Sequence, residues 1–108
     1  MTDLFAPITF ASGHTMKTRF MLAPLTNQQS HADGLLSQAE HDWLVMRARG
    51  GFGAVMTAAA YIQPEGKGFE GQFGFDEDRF DAALAALASD IKAHDCLAIA
   101  QLYHAGLR

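Results

Sequence analysis

The sequence contains too little cysteine for a disulfide framework or for a zinc site with sulfur ligands. Cys96 is its single cysteine, which fits a reducing compartment and is expected to be buried in the core. There is no run of eighteen or more apolar residues, and the N-terminus lacks the basic start and apolar stretch of a signal peptide. The expected location is therefore the cytoplasm, and no membrane is expected as a partner.

Basic clusters and metal-binding patterns are missing as well. Lys and Arg number 8 against 12 Asp and Glu, the formal charge is −4, and no basic patch suits a nucleic acid. The histidines have no metal-ligand spacing, and no Ser-His-Asp or His-Cys set stands out, so no metal is expected. With 108 residues, of which 49% are hydrophobic, the chain can form one domain with a core. Its expected partner is a small molecule or another protein.

The hydrophobic pattern alternates between strand-like and helical segments. The predicted elements, in order, are a hairpin at 8–17, a strand at 19–23 that Pro24 ends, a helix at 38–49, a strand at 54–61, a helix at 79–94 and a buried strand at 97–102. This order is typical of βαβ units and a parallel sheet. In such folds the loops that leave the carboxyl ends of the strands carry the site.

The two predicted helices have clear sequence signals. Ser37 and Glu40 have the spacing of a capping box before the first helix, and Gly50 follows its last turn. The face of this helix that is expected to be buried consists of Ala39, Trp43, Leu44 and Ala48. The second helix shows one apolar stripe formed by Phe80, Leu84, Leu87 and Ile91.

Three small residues, Ala58, Ala59 and Ala60, lie near the end of the strand at 54–61. They leave room either for a ligand that approaches the backbone or for a helix that packs closely on the strand. The following loop, 63–75, is longer than an ordinary connection, which favours a functional role. Its aromatic residues indicate that it packs onto the rest of the chain, and they are Phe69, Phe73 and Phe75.

Three polar residues end or follow the predicted strands. Gln101 needs a partner, which is either the edge of a flat ring such as a uracil or a flavin or the backbone of a neighbouring strand. The Thr26 hydroxyl could donate to a ligand carbonyl or cap a turn. His104 could be a base or a phosphate contact, or a packed or solvent-facing residue. The pattern of residues leaves each of these alternatives open.

An ordered series of short motifs covers most of the chain, at 19–26, 33–34, 36–37, 47–51, 76–78 and 101–106, together with Gly53, Pro64 and Gly66. The series resembles the flavin-dependent Old Yellow Enzyme family, also called NADH:flavin oxidoreductases. The resemblance implies an α/β fold, the (β/α)8 TIM barrel, with FMN held at the carboxyl end of the barrel. This chain would supply an N-terminal hairpin and roughly the first three strands and two helices.

The resemblance also implies roles for individual positions. The residues expected to contact FMN are Pro24, Thr26, Ala59 and Gln101. The Gln101 carboxamide would bond the pyrimidine edge, and the Ala59 backbone would approach the ring. Gln28 and Tyr61 are expected to border the substrate pocket. In the family, NADH or NADPH reduces FMN, and the reduced flavin passes hydride to an activated alkene conjugated to a carbonyl.

The chain is short for such a barrel, because eight strands need about 200 residues or more. Residues 1–108 are therefore expected to be the N-terminal portion of one incomplete barrel domain, with the catalytic residues beyond Arg108. An open sheet edge favours association with the remainder of the barrel or with a second copy of the chain. The alternative function is a catalytically inactive barrel fragment that acts as an interaction or assembly module.

Overall fold

A computed structural model describes residues 3–106, which form a small hairpin and a parallel sheet covered by two helices. The elements are β1 (Ile8–Thr9), β2 (Thr15–Met16), β3 (Met21–Leu22), α1 (Gln38–Arg49), β4 (Ala54–Tyr61), α2 (Asp81–Lys92) and β5 (Leu97–Tyr103). β1 and β2 pair in antiparallel orientation, whereas β3, β4 and β5 pair in parallel in that order. The predicted succession of hairpin, strand, helix, strand, helix and strand is confirmed.

The hairpin packs where the strands of the parallel sheet begin. The Thr18 hydroxyl donates to the Gly51 carbonyl (2.9 Å), and the Gly53 N–H donates to the Phe20 carbonyl (2.8 Å). A Cβ at position 53 would overlap the Thr18 backbone, so glycine is needed for this approach. The Lys17 ammonium donates to carbonyls at the ends of both helices, which places a positive charge where the helix dipoles favour one.

Two predicted elements have different ends in the structure. β3 spans two residues rather than 19–23, because the Arg19 N–H donates to the Leu4 carbonyl (2.9 Å) instead of entering the parallel ladder. α2 begins after a short 3₁₀ turn, Asp78–Phe80, so the segment predicted as one helix divides in two. Beyond α2 the backbone turns at Asp95, whose φ of 55° is left-handed and ends the helical segment.

β5 is not the buried strand that the sequence predicted. Its residues alternate between half-buried and exposed along the whole length, and Leu102 is 62% exposed. This period of two means that one face of β5 is covered, whereas the face with Ala98, Ala100 and Leu102 is open in the described chain. β5 is also the edge strand, next to β4 alone. By contrast, seven of the eight residues of β4 are buried, because β4 is the central strand.

The core lies between the two helices and β4. Its buried residues, to which Cys96 belongs as predicted, are Leu36, Leu44, Ala48, Val55, Ala58, Ala60, Phe73, Leu87, Ile91 and Cys96. On α1 the prediction for Ala39 was wrong, because that residue is exposed and Glu40 is buried beside Leu44 instead. Phe73 carries the packing of the long loop, whereas Phe69 is half-buried and Phe75 is exposed.

Neither helix in residues 3–106 is long and apolar enough to cross a membrane.

Candidate functional site

A β-bulge sets the geometry at the carboxyl end of β4. Met56 pairs with Ile99 and Ala59 pairs with Gln101, so two residues of β4 face a single residue of β5. The Thr57 hydroxyl accepts the backbone N–H of Gln101 (3.2 Å), which satisfies a donor that the bulge displaces from the ladder. The bulge therefore aligns Ala59 directly with Gln101, two of the predicted FMN contacts.

The three alanines of β4 do not share one role. Ala58 and Ala60 belong to the core that packs against the helices, which fits the close-packing interpretation of this stretch. Ala59 is 8% exposed and lies outside that core cluster. The interpretation of the alanines as a floor for a ligand therefore concerns Ala59 alone.

Gln101 and Thr26 present side-chain polar groups that have no partner among residues 3–106. The Gln101 side chain is half-buried, and the Thr26 side chain is exposed. Within residues 3–106, neither the Gln101 carboxamide nor the Thr26 hydroxyl makes a hydrogen bond, so Thr26 does not cap a turn. The turn after β3 is instead closed by the Asn27 Oδ1 atom, which accepts the Gln29 N–H (3.1 Å). Both groups are thus available to a ligand.

The remaining predicted contacts lie in the loop after β3 and at the end of β4. Pro24 is half-buried two residues beyond β3, and Gln28 is exposed with a left-handed φ of 54°. Tyr61 is 5% exposed, and a Cβ at Gly34 or Gly74 would overlap its ring or hydroxyl. In this chain Tyr61 therefore packs beneath two loops, and its role at a substrate pocket stays a prediction.

The loop after β4 packs against the end of β5 and the residues that follow it. His104 accepts the Gly106 N–H at Nδ1 (2.9 Å), so its Nε2 carries the proton that it donates to Gln63 Oε1 (3.0 Å). A Cβ at Gly66 would overlap the His104 ring, and one at Gly68 would lie 2.6 Å from the Tyr103 hydroxyl oxygen. The glycines of this loop thus permit close contact with the end of β5, and His104 is exposed but held by hydrogen bonds to Gln63 and Gly106.

A buried carboxyl group joins α1 to the loop after β3. Glu40 is 1% exposed and accepts a hydrogen bond from the Ser30 hydroxyl, which in turn accepts the Ser37 N–H (3.3 Å). The Ser37 side chain caps the helix by accepting the Glu40 N–H (3.1 Å). The predicted capping box is therefore half formed, because the Glu40 carboxylate bonds Ser30 rather than the Ser37 backbone. Burial raises the pKa of Glu40, and the hydrogen bond from Ser30 opposes that rise.

The residues at this edge of the sheet suit a flat heteroaromatic ring. Ala59 offers a surface without a long side chain, and its strand partner Gln101 offers a donor and an acceptor that no described residue occupies. The loops that leave β3, β4 and β5 meet on the same side, as the carboxyl ends of parallel strands require. Within residues 3–106, no group of His, Cys, Asp and Glu is arranged to hold a metal ion. The fold is thus that of an α/β protein of parallel βαβ units, with polar side chains at the carboxyl ends of its strands.

The chain belongs to the NADH:flavin oxidoreductase / NADH oxidase family, whose model matches residues 3–108. It is 39% identical over 104 residues to a probable NADH-dependent flavin oxidoreductase of Bacillus subtilis, covering 96% of this chain and 28% of that protein. It is 38% identical over 106 residues to the NADH:acrylate oxidoreductase of Vibrio harveyi, covering 98% of this chain and 10% of that protein. The chain therefore spans less than a third of each of these two relatives.

Solved structures give the same result for the fold. The old yellow enzyme homologue from Zymomonas mobilis matches with a TM-score of 0.84 and 27% identity, over 95% of this chain and 28% of that structure. The predicted TIM-barrel family is confirmed, and this chain corresponds to an N-terminal part of it. The family also confirms the predicted cofactor, FMN, and the predicted reductant, NADH or NADPH. The residue roles and the extent of the domain stay predictions.

Two residues that shape this site were not predicted from the sequence. Thr57 lies within a strand of small and apolar residues, and only the bulge makes its hydroxyl an acceptor for β5. Gln72 lies in the glycine-rich loop yet is 2% exposed, with its carboxamide bonded to Ala59 and Gly68. A polar side chain next to Phe73 in a loop of this length was the only available signal.

Proposed function

We propose that the protein to which this chain contributes is an FMN-dependent NAD(P)H oxidoreductase that reduces an activated alkene, and that the chain supplies part of the FMN site. The observation that carries the proposal is the bulge that pairs Ala59 with Gln101 beside the loop that bears Thr26. A relative that reduces or forms acrylate supports the substrate class, because acrylate is an alkene conjugated to a carboxyl group. Bound FMN would supply hydride transfer between the nicotinamide and the alkene.

The residues of this chain would bind and orient the ring. The Gln101 carboxamide can donate to and accept from an imide edge in the same plane, which fixes the rotation of the ring. The Ala59 backbone would allow the ring to approach the sheet, and Pro24 would add an apolar contact from the loop after β3. The Thr26 hydroxyl can donate to a ring carbonyl, where it would favour the reduced, more negative form of the flavin. Gln28 would face the substrate from the same loop.

Absorption spectroscopy and flavin titration test this proposal. The full-length protein that carries this chain is purified, its intact mass is measured, and FMN is removed and added back while fluorescence is recorded. Saturable binding of one FMN per chain, with bleaching by NADH or NADPH, is the expected result. A folded protein that takes up no flavin would refute the proposal. The expected cytoplasmic location is tested separately, by fractionation of the native cells.

The second candidate is a barrel fragment that acts as an assembly module. The observation in its favour is the exposed apolar surface on the two edge strands of the sheet, where Met21 of β3 and Leu102 of β5 are 47% and 62% exposed. The 108-residue chain alone would then associate with itself or with the remainder of a barrel. Sedimentation velocity over a range of concentrations tests this, and a chain that stays monomeric and melts cooperatively would exclude it.

A further inference from the structure

Gln72 is a carboxamide as deeply buried as the apolar core. It is 2% exposed although it lies in the loop between β4 and α2. Its Nε2 donates to the Ala59 carbonyl (3.0 Å), and its Oε1 accepts the Gly68 N–H (2.8 Å). Both ends of the amide are therefore paired, and the side chain fastens the loop to the carboxyl end of β4.

The partner of Gln72 on β4 is the same residue whose backbone is expected to meet the FMN ring. We propose that Gln72 is a positioning residue, which holds Ala59 and the loop at 62–75 in the geometry that FMN binding requires. The inference rests on the proposed function, because it concerns the same flavin site. Gln72 itself would act through Ala59 without touching the ring.

A second contact extends this support to the loop after β3. Gly71, next to Gln72, has a left-handed φ of 82°, and a Cβ there would overlap the Gln28 carbonyl. The Gly71 carbonyl accepts the Ser30 N–H (3.0 Å). The loop that bears Thr26 therefore rests on the loop that Gln72 anchors, and we expect the two loops to loosen together when the anchor is removed.

The chemistry of the amide gives two informative substitutions. Gln72→Leu removes the donor and the acceptor, which leaves the Ala59 carbonyl and the Gly68 N–H without this partner at every pH. Gln72→Glu keeps the shape, but an ionised carboxylate cannot donate to the Ala59 carbonyl. A protonated carboxyl group can donate to Ala59 and accept from Gly68, and burial favours the protonated form. The glutamate variant should therefore recover at acidic pH.

The test uses the full-length flavoprotein and its flavin-free form. The dissociation constant for FMN is measured by fluorescence at neutral and mildly acidic pH, and hydrogen exchange of the segment 62–75 is measured without flavin. Gln72→Leu should weaken FMN binding roughly tenfold or more at both pH values and increase exchange. Gln72→Glu should match that loss at neutral pH and regain most of the affinity and protection at acidic pH, relative to wild type.

Gln29→Glu is the matched control, because it places the same charge on an exposed glutamine of the neighbouring loop. It should bind FMN like wild type at both pH values. Variants that lose stability but, when folded, bind FMN with wild-type affinity would overturn the inference and leave the proposed function intact. A Gln72→Glu protein whose FMN affinity does not recover at acidic pH would also overturn the inference. If Gln72→Leu does not fold, the Gln72→Glu variant alone tests the inference. A folded wild-type protein that binds no FMN would instead refute the proposed function.

Discussion

Hydrogen bonding separates the amides and hydroxyls that hold the fold from those that a ligand can use. Gln72 and Thr57 are buried, and their polar atoms are bonded to the backbone of β4, of β5 or of the adjacent loop. Gln101 and Thr26, at the same edge of the sheet, make no side-chain hydrogen bonds to the described part of the chain. Two residues of the same type, Gln72 and Gln101, should therefore respond differently to the same substitution.

Gln101→Leu should weaken FMN binding with little effect on stability. Loss of a paired donor and acceptor costs roughly 1–3 kcal/mol of binding energy, which corresponds to a rise of about 5- to 160-fold in the dissociation constant. Since no protein group is left without a partner, the free energy of unfolding should change by about 0.5 kcal/mol or less. Flavin titration and urea unfolding of the full-length protein measure the two quantities. Unchanged FMN affinity would remove Gln101 from the site.

Glu40→Gln should change the pH dependence of stability. Because burial raises the pKa of Glu40 in the folded chain, the folded state favours the protonated acid. Its contribution to stability is fully present below the ordinary glutamate range and is lost as the pH rises through the raised folded-state pKa. Glutamine is neutral at every pH, so the variant should gain stability relative to wild type as the pH increases.

Urea unfolding midpoints from acidic to neutral pH check this expectation. Glu70→Gln is the control, because it makes the same change on an exposed side chain of the loop after β4. A Glu40→Gln protein whose stability runs parallel to that of wild type and of the control over the whole range would contradict the account.

At the scale of elements, the loops after β3 and β4 are packed parts of the fold rather than mobile connections. Gly34 and Gly74 both lie against the hydroxyl end of the Tyr61 side chain, and the Gly74 N–H donates to the Gly34 carbonyl (2.9 Å). Burial raises the pKa of Tyr61, in keeping with this enclosed position. The glycines are therefore required by contact as well as by backbone conformation.

Gly34→Ala and Gly13→Ala form a matched pair that isolates this contact. Both glycines have nearly the same left-handed φ, 91° and 90°, but a Cβ at 34 would overlap the Tyr61 hydroxyl, whereas a Cβ at 13 meets nothing within 4 Å. Gly13→Ala should cost about 1–2 kcal/mol for the backbone alone. Gly34→Ala should cost a further ~1–3 kcal/mol for overpacking. Equal losses in urea unfolding would show that the loop does not press on Tyr61.

The sequence predicted those elements whose signals are local. The helix at 38–49 and the strand at 54–61 have the predicted bounds, because Ser37, Gly50 and the run of small and β-branched residues act on adjacent backbone. The burial of Glu40, the bulge at Thr57 and the anchoring by Gln72 depend on residues 10 to 44 positions away. No local pattern specifies such contacts, so they appear only in the folded chain.

Prediction failed for β5 for a different reason. Its apolar composition suits a strand covered on both sides, as in a closed barrel. In the described chain one face of β5 is uncovered, so three of its seven residues are exposed. The composition of β5 therefore fits a closed barrel of the family better than it fits the described chain. The candidate site shows the same feature, because Ala59 and Gln101 are adjacent but no described residues enclose a ligand above them.

At the scale of the whole molecule, the central claim is that this chain forms part of an FMN site. The most direct measurement is the visible absorption spectrum of the full-length protein, with its intact mass and an FMN titration of the flavin-free form. The account predicts the absorption bands of oxidised flavin, one FMN bound per chain, and bleaching on addition of NADH or NADPH. A folded full-length protein that neither retains nor rebinds FMN would contradict it.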